Sequence, residues 1–215
     1  MPPFLNMMKS CPVGILDFHF QQLSDLVGIV KQHIRNYLKD IFELVQQYWN
    51  PNSNIQITIL SLIEAIAVAL DGEFKVYLPT LLPQILQIFE ADISEKRQAT
   101  QKSLHAMIVF GSSLEEYLHL VIPAIVKLYE RSDVPFAQRK YAIQNISHLS
   151  KKVNFSDQAS RIIHSLVRIL NLPATELRAA AMDTLSSLIY QLSFDFAIFV
   201  PMINKVRLCF YTVRR

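Results

Sequence analysis

Mostly apolar residues recur three, seven and ten positions after a polar residue in four stretches of the chain. After Gln56 come Ile59, Ile63 and Ile66; after Arg97, Thr100, Leu104 and Met107. After Arg139 come Ala142, Ile146 and Leu149; after Arg178, Ala181, Leu185 and Leu188. Those offsets share one face of an α-helix. A second set of helices alternates with the first. The string YLPTLLPQILQIFE from Tyr77 returns as YLHLVIPAIVKLYE from Tyr117, with Tyr77/Tyr117, Leu78/Leu118, Pro83/Pro123, Ile85/Ile125 and Glu90/Glu130 in register. Helix pairs repeating at this period predict a stacked array in which each pair touches mainly its neighbours.

The predicted units cover residues 1–32, 33–71, 74–111, 115–152 and 156–193, followed by a partial unit at 196–210. Pro12 and Gly14 separate the first two helices, and Gly72 and Gly111 are the expected stops of two later ones. Ser53 or Asn54, Ser94 and Thr175 are the expected N-caps. Ile55–Leu70 is the most apolar helix and is placed deepest. Pro83 stands four residues after Pro79, where a ring inside a helix removes a hydrogen bond and clashes with the preceding turn, at a cost of ~3 kcal/mol. Pro123 and Pro201 are set in the same column, and the three are read as helix bends. The array ends on Phe199, Ile203, Val206, Leu208 and Phe210, which are read as uncovered. The chain is therefore read as an open-ended segment of a longer array and is expected to self-associate.

Composition supports an all-α reading and excludes several classes. Half of the 215 residues are hydrophobic (51%), only 18% are charged, and the chain has 4 glycines. Cys11 and Cys209 lie near opposite ends, so neither a disulfide framework nor a zinc site is indicated. The N-terminal MPPFLNMMKS lacks the pattern of a signal peptide. No window of about 18 purely apolar residues is found, so no transmembrane segment is expected. The net charge of +3 is small and its lysines and arginines are scattered, which points away from nucleic acid.

A proline in the first helix, an Asp or Asn at its end and an Arg early in the second resemble HEAT repeats. The fold class is therefore an all-α HEAT-repeat α-solenoid. In that family the acidic and basic columns bond across units. The matching residues here are Asp92 with Arg97, Asp133 with Arg139, and Arg178 behind Asn171; Asn50 and Gln56 form a neutral variant. A set of isolated surface charges worth ~0–1 kcal/mol each is the plainer alternative.

Several strings go beyond the repeat pattern. MPPFLN at 1–6, FQQL at 20–23, GEFKVYLP at 72–79, YLHL at 117–120, ASRIIH at 159–164, AMDTLSSL at 181–188 and VPMINKV at 200–206 occur in one order. Together they resemble the middle HEAT region of the target-of-rapamycin (TOR) kinases, of the phosphatidylinositol-3-kinase-related family. The resemblance fades after Val206. It implies a full protein that phosphorylates Ser and Thr of growth-control substrates, with ATP and Mg²⁺ held in a kinase domain absent from this segment. It also implies protein partners: the rest of the TOR chain, complex subunits such as Raptor, and the small GTPase Rheb. The implied location is the cytoplasm, with peripheral attachment to lysosomal or other endomembranes through the full complex.

No catalytic constellation appears in the sequence. There is no Gly-rich phosphate loop and no kinase catalytic-loop string, and Asp195–Phe196–Ala197 lacks the glycine of the D-F-G motif. None of the six histidines falls in an H-E-x-x-H pattern. His19 is expected to be buried and His164 to be structural. The segment is read as a non-catalytic scaffold with no cofactor of its own. An autonomous HEAT adaptor of the transport or phosphatase-scaffold type is the alternative, and an unrecognised enzyme is a third reading without a residue cluster to support it.

Overall fold

The computed structural model describes residues 1–50 and 55–205. Ten α-helices and the opening of an eleventh at 200–205 appear among them, joined by turns and short 3₁₀ segments, with no strand. The fold class expected from periodicity is the one found. The residues form two compact units, Met1–Ser113 and one beginning at Leu114.

The first unit holds α1 (Pro2–Lys9), α2 (Val13–Val30), α3 (Leu38–Tyr48), α4 (Ile55–Leu70), α5 (Leu78–Ala91) and α6 (Gln98–Phe110). α2, α4 and α6 stack side by side, α1 packs on α3, and α5 pairs with α6. α4 is flanked on two sides, which explains its composition: 11 of its 16 residues are buried. A helix apolar around most of its circumference needs such a double burial.

The second unit holds α7 (Leu118–Glu130), α8 (Phe136–Leu149), α9 (Ala159–Leu170) and α10 (Thr175–Leu192). α8 packs on α10, α7 on α9, and the pairs close through α7–α8 and α9–α10. In both units the residues at offsets three, seven and ten point inward. Ile59, Ile63, Ile66, Leu104, Met107, Ala142, Ile146, Leu149, Ala181, Leu185 and Leu188 are all buried, and so is Thr100.

The joints between pairs differ from the expectation of simple α-helices. Four seven-residue 3₁₀ segments, Lys31–Tyr37, Asp71–Tyr77, Gly111–Tyr117 and Ser193–Phe199, precede the first helix of a pair. Each opens on a residue with positive φ: Lys31 at 48°, Asp71 at 50°, Gly111 at 51° and Ser193 at 50°. Each buries its fourth residue: Ile34, Phe74, Leu114 and Phe196. So the α-helices expected to begin near 33, 74, 115 and 196 begin at Leu38, Leu78, Leu118 and 200. Spacings of four, as in Phe74 to Leu78, fit either kind of helix, so periodicity alone does not separate them. Gly111 ends α6 as expected, but Asp71, not Gly72, takes the left-handed turn after α4. The fifth pair, α9 and α10, is joined differently, by Phe155, which is buried, and a short turn at Ser156–Gln158.

Three further expectations are corrected. Gly14 does not interrupt the chain but lies in the first turn of α2, which follows Pro12 directly. Thr175 is the first residue of α10 rather than its cap. Phe199 is not an uncovered end residue: it is buried, against Phe196 and edge-on to His164 at 6.3 Å. Ile203 is half-buried, whereas Val206, Leu208 and Phe210, like the Ser53 and Asn54 caps, lie outside the described residues.

The membrane expectation also needs qualification. Three helical runs, Ile55–Ala91, Gln98–Glu130 and Thr175–Lys205, are long and apolar enough to cross a bilayer by length and composition. Each consists of two α-helical pieces joined through a 3₁₀ segment that opens on a left-handed residue. Among the described residues no single α-helix exceeds 18 residues, short of the ~20 that a straight span needs.

Candidate functional site

The Asp and Arg columns do most of their visible work at helix ends. Asp92 follows α5 and reaches across the turn to α6. Its Oδ2 accepts from the Thr100 N–H and the Thr100 hydroxyl, both at 2.9 Å, and its Oδ1 accepts from the Ser94 hydroxyl at 2.6 Å. Thr100 is the third residue of α6, so Asp92 satisfies one of the N–H groups that a helix start leaves open. Burial by itself would raise the Asp92 carboxyl. The bonds from Ser94 and Thr100 outweigh that and hold it below its ordinary value of 3.8. Ser94 therefore does not cap α6 directly. It supports Asp92 and accepts from the Arg97 N–H at 3.1 Å.

Arg97 is buried and stands just outside α6, in the left-handed region at φ 42°. Its Nη1 donates to the Phe89 carbonyl at 3.3 Å, near the end of α5. Arg139 repeats the contact one pair later, Nε donating to the Tyr129 carbonyl near the end of α7 at 2.8 Å. A cation there suits both the open carbonyls and the negative end of the helix dipole. Asp133 forms a two-pronged pair with Arg131, two residues away, on the surface. Arg178 contacts the Thr175 hydroxyl in its own first turn at 3.3 Å.

Pro83 and Pro123 stand inside α5 and α7, each in the sixth position. Pro201 does not share that place. It is the second residue of the helix at 200–205, the position Pro79 takes in α5, where a missing N–H costs nothing.

Bonds between successive pairs run through residues that sequence reasoning passed over. In the first unit Glu64 of α4, almost fully buried, accepts from Lys102 at 2.7 Å and meets His105 Nδ1 at 2.9 Å, both on α6. Thr58 bonds Asp17, and Ser24 donates to the Ser61 carbonyl. In the second unit the Thr184 hydroxyl donates to the Ile143 carbonyl, and Ser147 pairs with Ser187 at 2.8 Å. Gln191 donates to the carbonyls of Ser150 and Val153, both at 2.6 Å, and accepts from the Phe155 N–H. Lys140 reaches Glu176, and Glu130 accepts from Ser165 and Arg168. Each of these partners lies one repeat period away in sequence, which is the only sequence signal that could have found them.

Three of the histidines make contacts within the array. His105 bonds Glu64, His164 is exposed beside Phe199, and His19, expected to be buried, is half-buried with its ring edge-on to Phe4 at 5.9 Å. Burial pushes the Tyr129 phenol far up, so it stays neutral. Among the described residues no group of three His, Cys, Asp or Glu could hold a metal ion. What the surface offers is grooves between second helices. One of ≈ 630 Å³ lies at the ends of α2 and α4, lined by Ile29, Lys31 and Val68. Another, of ≈ 660 Å³, lies between α8 and α10, lined by Lys151 and Tyr190.

Residues 41–205 match the family profile described as stalled ribosome sensor GCN1-like, HEAT repeats. The chain belongs to the HEAT-repeat family. Curated relatives narrow the likeness within it. This HEAT chain is 45% identical over 206 residues to the serine/threonine-protein kinase tor1 of Schizosaccharomyces pombe, covering 96% of the chain and 9% of the relative. It is 44% identical to TOR2 of Saccharomyces cerevisiae over 97% of the chain, and 43% identical to mTor of Drosophila melanogaster over 95%, each match covering 8% of the relative. The chain thus spans less than a tenth of the length of the curated relatives it matches, and what it matches is HEAT repeat, not kinase domain. Among solved structures it is similar to the MAST/Orbit N-terminal domain, with a TM-score of 0.57 over 98% of this chain and 96% of that one. At 13% identity that likeness is one of fold alone.

Proposed function

We propose that this HEAT chain is a non-catalytic scaffold segment of a TOR-type Ser/Thr protein kinase. One observation carries the reading. The similarity to TOR kinases is continuous across nearly the whole chain and confined to one short stretch of each relative. Stacked helix pairs present an extended surface suited to protein partners. The segment would support complex assembly and dimerisation and would help dock partners such as Raptor or Rheb, in the cytoplasm or at endomembranes. ATP and Mg²⁺ would be bound elsewhere in the full protein. Asp92, Arg97 and Arg139 would fix the turn within each pair, Asp133 and Arg178 would order the neighbouring loop and first turn, and Pro83 and Pro123 would bend their helices.

A segment swap tests this. The matching stretch of the fission-yeast kinase is replaced by this chain, and complex subunits co-purifying with the chimera are quantified. Retained subunits and retained kinase activity, with no phosphoryl transfer by the chain alone, are expected. A stably expressed chimera that has lost its subunits would overturn the scaffold reading, as would kinase activity in the isolated chain.

A further inference from the structure

We propose that the corner formed by α10 and the connector Ser193–Phe199 is a docking site for a short partner peptide carrying apolar side chains flanked by carboxylates. Tyr190 is 91% exposed, Phe194 92% and Ile198 77%. The three large apolar residues stand bare within nine positions, where the chain passes from α10 into the connector. Aromatic residues are also the commonest anchors of protein interfaces.

The repeat itself does not require them. Counting from the left-handed residue of each connector, the place of Tyr190 is held elsewhere by Gly28, Val68 and Ile108. That of Phe194 is held by Gln32, Gly72 and Ser112, and that of Ile198 by Asn36, Val76 and Glu116. The place of Phe194 holds only small or polar residues elsewhere, so its ring is a local addition, whereas the places of Tyr190 and Ile198 also admit exposed valine, at Val68 and Val76.

The groove beside Tyr190 sets the chemistry of the occupant. It measures ≈ 660 Å³ and is lined by Ser150, Lys151, Ser186, Ser187, Tyr190 and Gln191. That volume suits a few side chains. The serine hydroxyls donate inward, Ser150 to the Ser147 carbonyl at 2.8 Å and Ser186 to the Met182 carbonyl at 3.0 Å. Each oxygen is left as an acceptor for an incoming peptide N–H. Lys151 lines this groove and, together with Lys152, the adjoining one, whose one acid is Asp195. Two cations against one carboxylate favour an acidic peptide and disfavour a basic one. A concave wall of hydroxyls beside Tyr190 suits a peptide backbone better than the flat face of a bilayer.

The test is to pan a phage-displayed library of random peptides on the full chain and measure the enriched peptides by fluorescence anisotropy. Enriched peptides should combine aspartate or glutamate with leucine or aromatic residues, and bind more weakly as salt rises. Tyr190→Ser with Phe194→Ser, and separately Lys151→Glu with Lys152→Glu, should each weaken binding at least tenfold. Both pairs are exposed, so helical content and melting temperature should hold. No enrichment, enriched peptides without carboxylates, or affinities untouched by these variants would overturn the proposal. So would a Phe194-dependent dimer in sedimentation velocity, or Phe194-dependent cosedimentation with anionic phospholipid vesicles, if peptide binding is absent. Those results would assign the surface to a second copy or to a membrane.

Discussion

Arg139 donates from Nε to the Tyr129 carbonyl at 2.8 Å, so the first turn of α8 closes the last turn of α7. Arg97 does the same for α5 through the Phe89 carbonyl. Gln56 holds that place one pair earlier. It is fully buried, and neither its amide nitrogen nor its amide oxygen has a hydrogen-bond partner.

A buried, unpaired polar group costs about 1–3 kcal/mol. Gln56→Leu, which keeps the volume and removes both polar atoms, should therefore stabilise the chain by about that amount in urea unfolding. A lower midpoint with an unchanged slope would show that the amide is satisfied in solution. Arg139→Ala should shift the midpoint the other way, since it reopens the end of α7.

Asp92 gives the fold a pH dependence with a definite sign. Its folded-state pKa lies below the ordinary 3.8, because bonds from Ser94 and Thr100 outweigh desolvation. The unfolded chain therefore binds the proton more tightly. The stabilisation is fully present above the unfolded value and is lost as the pH falls through the folded one. Asp92→Asn should lower stability at pH 7 by about 0.5–2 kcal/mol, the usual worth of a cap. It should also flatten the acid limb of the stability curve below about pH 4. An unchanged acid limb would remove Asp92 from the account.

The connectors offer a test of backbone strain. Lys31 and Ser193 adopt nearly the conformation of Gly111, with φ of 48° and 50° against 51°, and ψ of −127° and −119° against −127°. Side chains other than glycine store about 1–3 kcal/mol in such regions. Lys31→Gly and Ser193→Gly should raise the melting temperature and Gly111→Ala should lower it. The reverse order would mean that these joints relax in solution.

Burial decides which ion pairs matter. Glu64 has 11% of its side chain exposed and serves two partners, whereas Glu176 has 66% exposed and serves Lys140. Glu64→Ala should cost about 1.5–3 kcal/mol, as lost bonds to a charged group do. Glu176→Ala should cost about 0–1 kcal/mol, because water screens an exposed pair. Equal effects in thermal unfolding would refute the ranking.

The sequence by itself determined the helices, their pairing and the inward faces. α4 was legible to the residue, because sixteen apolar-rich positions bounded by polar residues admit few other readings. Periodicity reports which side of a helix avoids water, and that depends only on local spacing. The stop at Gly111 was legible because glycine is the residue that takes positive φ cheaply. The matching turns at Lys31, Asp71 and Ser193 were not, because packing of Ile34, Phe74 and Phe196 forces the same backbone on residues that do not prefer it.

Only the tertiary structure decided what the polar residues do. Asp92 looked like half of a ladder and caps α6; Glu64, a lone acid within the most apolar helix, ties α4 to α6. Pro201 looked like a bend and opens a helix. Tyr190 and Phe194 stand bare on the surface, and no pattern in the sequence set them apart. A hydrogen bond or a solvent-facing aromatic depends on which groups a neighbouring repeat brings within about 3 Å, and one-dimensional spacing does not contain that distance.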